Sequence, residues 1–368
     1  MKASRSLVLA LLWCLACTRS PALVAPTPPL PAPGTVTASS PTPVQSPTPT
    51  PRPTPTAAPT ATPSPTPVLY RSPLSGQALA TPPPRPLAVQ IDNHPDARPQ
   101  TGLTDADLVY ETPTEAQLTR LTALFQTRAP EVVGPVRSAR LVDLAILPMH
   151  DAVLVYSGAA QGVTQALLGA GAELLHAEGN ATPAGWRDWS RSMPHNLYVS
   201  VPALREVATE LGWERPTAAS SLLFGPPAPG GEPALYVVIP YAQGQVEFRY
   251  DRASNRYRRW VDGAPHVDAR SNEPVAPANV VVLVTEFWYR ELPARWTVEQ
   301  SLDLDLSSGG EAWLLRDGHV YRARWERPAE REPLRLLDAR TGQPLPLGEG
   351  QTWICIVSPE IASRVEVG

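Results

Sequence analysis

The sequence predicts an α/β or α+β fold, with a mixed-sheet N-terminal domain followed by a mainly β C-terminal domain. Three observations carry this. Short apolar runs alternate with helix patterns between residues 86 and 212. From residue 234 onward, turn-bounded strand patterns follow one another almost without helices. The first 68 residues have no globular composition at all.

The chain opens with a short positive region, Lys2 and Arg5, and an uninterrupted apolar run from Leu7 to Ala16. That run is too short to span a bilayer and fits a signal-peptide core. It ends in Leu15-Ala16-Cys17, which resembles the lipobox of bacterial lipoproteins, although Cys14 stands where leucine is usual. Residues 1–17 therefore read as a leader ending at a lipidated Cys17, with plain secretion as the alternative. Many of the 46 prolines fall between Pro21 and Pro67, interleaved with Thr, Ser and Ala. Residues 18–68 cannot build a core and favour extended polyproline II, as a disordered Pro/Thr-rich tether. At about 3.1 Å per residue its proline-rich part would reach roughly 140 Å.

A first folded domain is expected over 69–225. Pro86 to Asp92 reads as a buried strand closed by the turn-forming Asp92-Asn93-His94-Pro95. Asp107 to Glu111 and Leu118 to Phe125 are two more strands. Gly134 to Ser138 is a loop, with Ser138 as N-cap of a helix through Leu147. Ala152 to Tyr156 is a strand and Gly162 to Leu168 a helix. A further helix starts after Ser200, with Pro202 in its first turn and Gly212 near its end.

Phe224 to Gly231 reads as a linker, and 232–368 as a second, β-rich domain. Its strands are Ala234–Tyr241, Val246–Tyr250, Arg256–Val261, Val280–Trp288, Ala312–Leu315, Val320–Trp325 and Thr352–Val357. Asp262-Gly263 and Asp317-Gly318 are hairpin turns. Beyond the leader the body holds one cysteine, Cys355, in an apolar strand, so no internal disulfide can form. The only lysine, Lys2, lies in the leader. Every cation of the body is thus an arginine, a planar fork suited to carboxylate and phosphate. A net charge of −4 gives no sign of a nucleic-acid partner.

The strings VQIDNHPDARPQTGLTDADLVYE, LTRLTALFQ, VGPVRSAR, HDAVLVYSG and PHNLY, with YDRASNRYRRWVDGAPHVD, GEAWLLRDGHVYRARW and GQTWI in the second half, resemble the YerB lipoprotein family. The resemblance covers nearly everything from Pro86 onward. It implies a two-domain bacterial envelope lipoprotein and supplies no activity.

Polar residues of the first domain gather in a few loops: Asp92, Asn93, His94 and Arg98; Glu111 and Glu115; Arg120; Arg137, Ser138 and Arg140; Arg187, Arg191, His195 and Asn196. Several lie at strand ends, where α/β folds build ligand sites. Arg137 and Arg140 around Ser138 suggest an anion site at a helix start. The alternative is that Ser138 only caps and the arginines pair with Asp92, Glu111 or Glu115. Ser138 as a nucleophile would need His195 or His94 as base and Asp92 or Asp188 as orienter. Glu111 and Glu115 as a glycosidase pair would stand about 13 Å apart on an extended strand, too far without a bend. His266 and Asp268 could face one way along a strand, but with no HExxH and no paired cysteines, neither metal nor cofactor is expected. Trp186 to Arg191 could form an aromatic wall suited to sugar or peptide, or simply a packed surface loop.

Two functions follow. In the first, a lipid-anchored protein on the extracytoplasmic face of the cell membrane binds an anionic envelope ligand, such as a cell-wall polymer. Asn93, Arg98, Glu115, Arg120, Arg137, Ser138, Arg140, Arg191 and Asn196 would line its site. In the second, a cell-wall hydrolase or transferase uses His195 with Asp92 or Glu111.

Overall fold

The computed structural model describes residues 70–242 and 244–368. The leader, Cys17 and the tether lie outside the described residues. In chain order the main elements are β1 (Leu87–Asp92), β2 (Leu108–Pro113), β3 (Thr119–Phe125), α1 (Asp143–His150), β4 (Val153–Tyr156), α2 (Gln161–Gly169), β5 (Leu174–His176), β6 (Gly185–Arg187), β7 (Leu197–Val199) and α3 (Val201–Glu210). The second half continues with β8 (Tyr236–Tyr241), β9 (Gly244–Asp251), β10 (Arg256–Val261), β11 (Asn279–Val284), β12 (Phe287–Pro293), β13 (Val298–Leu304), β14 (Gly310–Arg316), β15 (His319–Glu326), β16 (Arg335–Asp338) and β17 (Thr352–Val357).

One mixed sheet runs through both halves, in the order β15-β14-β11-β17-β2-β3-β1-β4-β5. The seam between the halves is the parallel pair β17–β2, with Ile354 opposite Tyr110 and Cys355 opposite Glu111. Strands β1, β2, β3, β11 and β17 are buried at every position except Pro113. Their near-continuous apolar sequences follow from burial on both faces. On one face, β1 and β3 pack with α3 and with the small antiparallel sheet of β8, β9 and β10. On the other face lie α1 and α2, with Leu292 of β12 and Leu304 of β13 in the same core. Cys355 sits fully buried in this arrangement.

Both predicted hairpin turns form, with Asp262 and Gly263 at φ 52° and 78° and Asp317 and Gly318 at φ 52° and 73°. That double left-handed geometry is what Asp-Gly supplies most readily. Two expectations are corrected. The strand expected over Val280–Trp288 stops at Val284, and Phe287–Pro293 pairs instead with Val298–Leu304 as a separate hairpin. The helix expected from Ser138 begins at Asp143, after Val142, with no side-chain cap. There the Asp143 carboxylate accepts the Arg140 N–H at 2.9 Å, so an acid inside the first turn does the work expected of the serine.

Candidate functional site

The candidate site lies at the carboxyl ends of the adjacent parallel strands β1 and β4. This is where open α/β sheets leave a crevice. Asp92 ends β1 and faces Arg120 of β3 in register. The loop after β4 holds the arginine loop by two backbone bonds, Ser157 N–H to Arg137 O at 2.9 Å and Ala139 N–H to Gly158 O at 3.1 Å. Gly158 (φ 73°) turns the chain away beside Ser138.

The structure joins Asp92, His195 and Arg137. Asp92 Oδ2 lies 2.7 Å from His195 Nδ1 and 3.1 Å from Arg137 Nε, and Oδ1 accepts the His94 N–H at 3.1 Å. Burial alone would raise the Asp92 carboxyl. Arg120, His195, the His94 amide and Arg137 outweigh it and hold the group below the usual carboxylate range. In the neutral imidazole, an ionised Asp92 keeps the ring proton of His195 on Nδ1 and leaves Nε2 as the acceptor.

Arg120 is the anomaly. Its residue is 6% exposed, and among the described residues its side chain makes one hydrogen bond, Nη1 to Ser138 O at 3.3 Å. Among the described residues it has no carboxylate within ion-pair distance, and its buried Nε has no partner. The Nε groups of Arg137 and Arg140 are likewise buried without a well-directed acceptor. Arg137 Nε is 3.1 Å from Asp92 and Arg140 Nε 3.0 Å from Glu115, close in distance but poorly aimed. Burial first, then repulsion from Arg140 and Arg137, pushes the Arg120 guanidinium down from 12.5 to about 9, against opposing pull from Asp92 and Glu115. Three arginines thus share two carboxylates.

Asp143, which the sequence reading missed, borders this cluster. It accepts from Arg140 N–H and from Gln90 Nε2 at 2.7 Å, and burial pushes its carboxyl up to about 7. An aspartate inside the apolar run Leu141–Leu147 was the available signal. Its folded value lies above the unfolded 3.8, so it binds protons more tightly when folded. Stability from this group therefore falls as pH rises from about 4 to 7. Asp143→Asn is expected to be more stable than the parent at pH 8 by a few kcal/mol, at ~1.4 kcal/mol per unit. The advantage should disappear near pH 4, as urea unfolding at both pH values would show.

Other expected residues play structural parts. Glu111, offered above as a catalytic carboxylate, is fully buried and saturated. Arg259 Nη2 donates to both its oxygens at 2.9 Å, Trp353 Nε1 at 2.9 Å, Thr119 Oγ1 at 2.9 Å and Asn93 Nδ2 at 3.2 Å. It has no lone pair left for chemistry. Glu115 binds Arg140 and the Leu302 N–H, so the Glu111–Glu115 glycosidase pair does not form. Arg98 binds the Asn93 carbonyl and Asp262, and Arg191 binds Tyr198 and the carbonyls of Arg98 and Pro99. Asn196 is buried against Arg187, and Asp188 accepts from Ser190 rather than orienting His195. Among the described residues Ser138 has no hydrogen bond to an imidazole. His266 and Asp268 bind Arg259, Gln100 and the Gly102 amide instead of a shared ion.

The donor atoms of His94, Asp96 and His195 lie within 4.8 Å of one another. Two of their ring nitrogens are already engaged. His94 Nδ1 accepts the Asp96 N–H at 3.2 Å, His195 Nδ1 is held by Asp92, and the two rings stack at 4.6 Å and 18°. With Arg137 adjacent, the cluster suits an anion better than a cation.

Residues 74–214 match the family described as "Protein of unknown function (DUF3048) N-terminal domain", and residues 237–354 match its C-terminal domain. YerB of Bacillus subtilis (strain 168), named as a lipoprotein, is 32% identical over 290 residues, covering 77% of this chain and 84% of that one. The chain belongs to the YerB lipoprotein family. The crystal structure of YerB from Bacillus subtilis superposes with a TM-score of 0.69 at 30% identity, covering 81% of this chain and 99% of the other. Among the described residues no helix is long and apolar enough to cross a membrane.

Proposed function

We propose that this YerB-family chain binds a carboxylate- or phosphate-bearing envelope ligand through Arg120, Arg137 and Arg140, while anchored at Cys17 on the extracytoplasmic face of the membrane. The observation that carries this reading is Arg120, a buried cation with an unpartnered Nε between two further arginines. Burying such a charge without a counter-ion is costly, and an anion entering the cluster would offset that cost. The test is calorimetric titration of the full-length chain in detergent with inorganic phosphate and with glucuronate, at low salt. Arg140→Gln is expected to weaken binding about 10- to 100-fold, the loss of one charge-assisted hydrogen bond. No saturable binding of either anion would sink the proposal. The anchor has its own test, since a Cys17→Ala chain should leave the membrane fraction.

The 2.7 Å contact of His195 with Asp92 favours a second reading, a hydrolase or transferase with His195 Nε2 as base. Glu111 takes no part in it. Release of soluble fragments from cell-wall fractions by the parent but not by His195→Gln would support this reading. Binding without release would exclude it.

A further inference from the structure

The segment that carries His195 also carries an aromatic surface on its other side. Strands β6 and β7 pair with Trp186 opposite Tyr198. Cross-strand partners share a face, so the two rings stack, at 6.4 Å and 26°. Tyr198 is buried behind, while Trp186 is 40% exposed. The backing is rigid. Arg191 Nη1 donates to Tyr198 OH at 2.5 Å, and its other donors hold the carbonyls of Arg98 and Pro99. The loop itself is closed by Asp188 N–H to Asn196 O at 2.8 Å.

Trp186 forms one wall of a shallow concavity of about 500 Å³, with Thr101, Val132 and Tyr198 beside it and Asp188 and Arg270 at its edge. Among the described residues the Arg270 guanidinium has no ion pair or hydrogen bond. Among the described residues Asp188 directs Oδ1 at Ser190 and has no partner on Oδ2. The loop exposes two further apolar side chains, Trp189 at 76% and Met193 at 58%. Apolar exposure of this density on a polar surface marks a binding surface.

We infer that the Trp186–Tyr198 concavity is a sugar subsite, stacking a pyranose of the anionic ligand whose charged group enters the Arg120–Arg137–Arg140 cluster. This rests on the anion-binding proposal. The chemistry fits a sugar. The C–H face of a pyranose lies flat on an indole, and its ring hydroxyls need both an acceptor and a donor. Asp188 offers the acceptor and Arg270 the donor. The loop 188–196 links the two sites: Asp188 and Arg191 line the concavity, and His195 contacts Asp92 of the arginine cluster. The acidic tetrasaccharide tests whether one ligand reaches both.

The test uses the full-length chain in a detergent without a sugar headgroup and three probes: glucuronate, the neutral, fully N-acetylated chitotetraose, and a hyaluronan tetrasaccharide that alternates N-acetylglucosamine with glucuronate. The acidic tetrasaccharide is expected to bind at least about ten-fold tighter than glucuronate, the scale of one good aromatic contact. Trp186→Ala should remove that gain and leave glucuronate affinity unchanged. Trp186→Phe should keep most of it, and thermal unfolding of each variant would confirm a native body. Equal tetrasaccharide affinity in the parent and Trp186→Ala overturns the inference while the anion site stands. Absence of glucuronate binding together with Trp186-dependent chitotetraose binding would overturn the anion site and keep the platform.

Discussion

Replacing Arg259 with alanine is expected to destabilise the body by about 3–5 kcal/mol, the cost of leaving a buried carboxylate unpaired. Arg259 comes from β10 in the second half, and Glu111 from β2 in the first. Both side chains are fully buried, and the Arg259 guanidinium lies 4.8 Å over the Trp353 ring. The bonds form a directed chain. Arg259 Nη1 donates to His266 Nδ1 at 2.6 Å, since a guanidinium cannot accept. His266 Nε2 must then donate to Gln100 Oε1 at 2.7 Å. Gln100 Nε2 donates to Asn93 Oδ1 at 3.0 Å, and Asn93 Nδ2 donates to Glu111. The chain starts and ends on the same ion pair, so removing one member unsettles the rest. Urea unfolding gives the measurement. In a cycle with Glu111→Gln, the double variant should cost less than the sum of the two singles. A loss below about 1 kcal/mol for Arg259→Ala would mean that the pair contributes little to joining the halves.

Two buried histidines, His266 of this network and His150 of α1, make the body sensitive to acid. Burial first, then Arg259 and Arg98, holds His266 well below the ordinary 6.5, and burial holds His150 down to about 3. Both groups have folded values below their unfolded ones, so the unfolded chain takes up protons first. The stability they contribute is present above pH 6.5 and is lost as pH falls below it. Asp143 acts in the opposite direction between about 4 and 7. Asp143→Asn should therefore show a steeper acid loss than the parent.

Replacing Arg120 with methionine is expected to have the opposite effect on stability, and to remove function. Ligand-free, the variant should be more stable than the parent by about 1–3 kcal/mol, the cost of burying a polar group without its hydrogen bonds, because burial and repulsion from Arg140 and Arg137 outweigh the pull of Asp92 and Glu115. The sign follows from the guanidinium being pushed down from 12.5 to about 9. The folded state carries that cation at a cost throughout the neutral range. A bound anion relieves it. Phosphate at a hundred times its dissociation constant should stabilise the parent by about 2.7 kcal/mol and leave Arg120→Met unmoved. Thermal melts with and without phosphate read both effects. A variant that is less stable and still responds to phosphate would show that Arg120 serves packing alone. Sites that trade stability for function are where such reversals arise.

Much of the fold was legible before any coordinates. The buried strands appear as apolar runs, the helix after Ser200 shows its cap and its Pro202, and both Asp-Gly turns fall where expected. Local chemistry decides such features, and the sequence carries it directly. The joining of the two halves was not legible. The parallel pairing of β17 with β2 links residues more than 240 apart, and nothing in either strand's composition names its partner. Glu111 was misread for the same reason. Its neutraliser, Arg259, lies 148 positions away and looked like one of several alternating arginines.

By itself the sequence carries the family-like strings, the lipobox-like Cys17, the proline-rich stretch before residue 68, and the arginine-only cation set of the body. It also offered His195 with Asp92 or Glu111, and Arg137 with Asp92, Glu111 or Glu115, because strand ends and turn residues mark where loops meet, and left open which of these pairs form. The tertiary structure decided which charges are compensated. Glu111 is saturated, Arg98 is spent on Asp262 and a backbone carbonyl, Arg191 on Tyr198 and backbone carbonyls, and among the described residues Arg120 is buried with no carboxylate within ion-pair distance. Whether a charge is paired depends on which distant side chain meets it in a low-dielectric interior. That is a property of packing and register, and it turned a scatter of arginines into one candidate anion site.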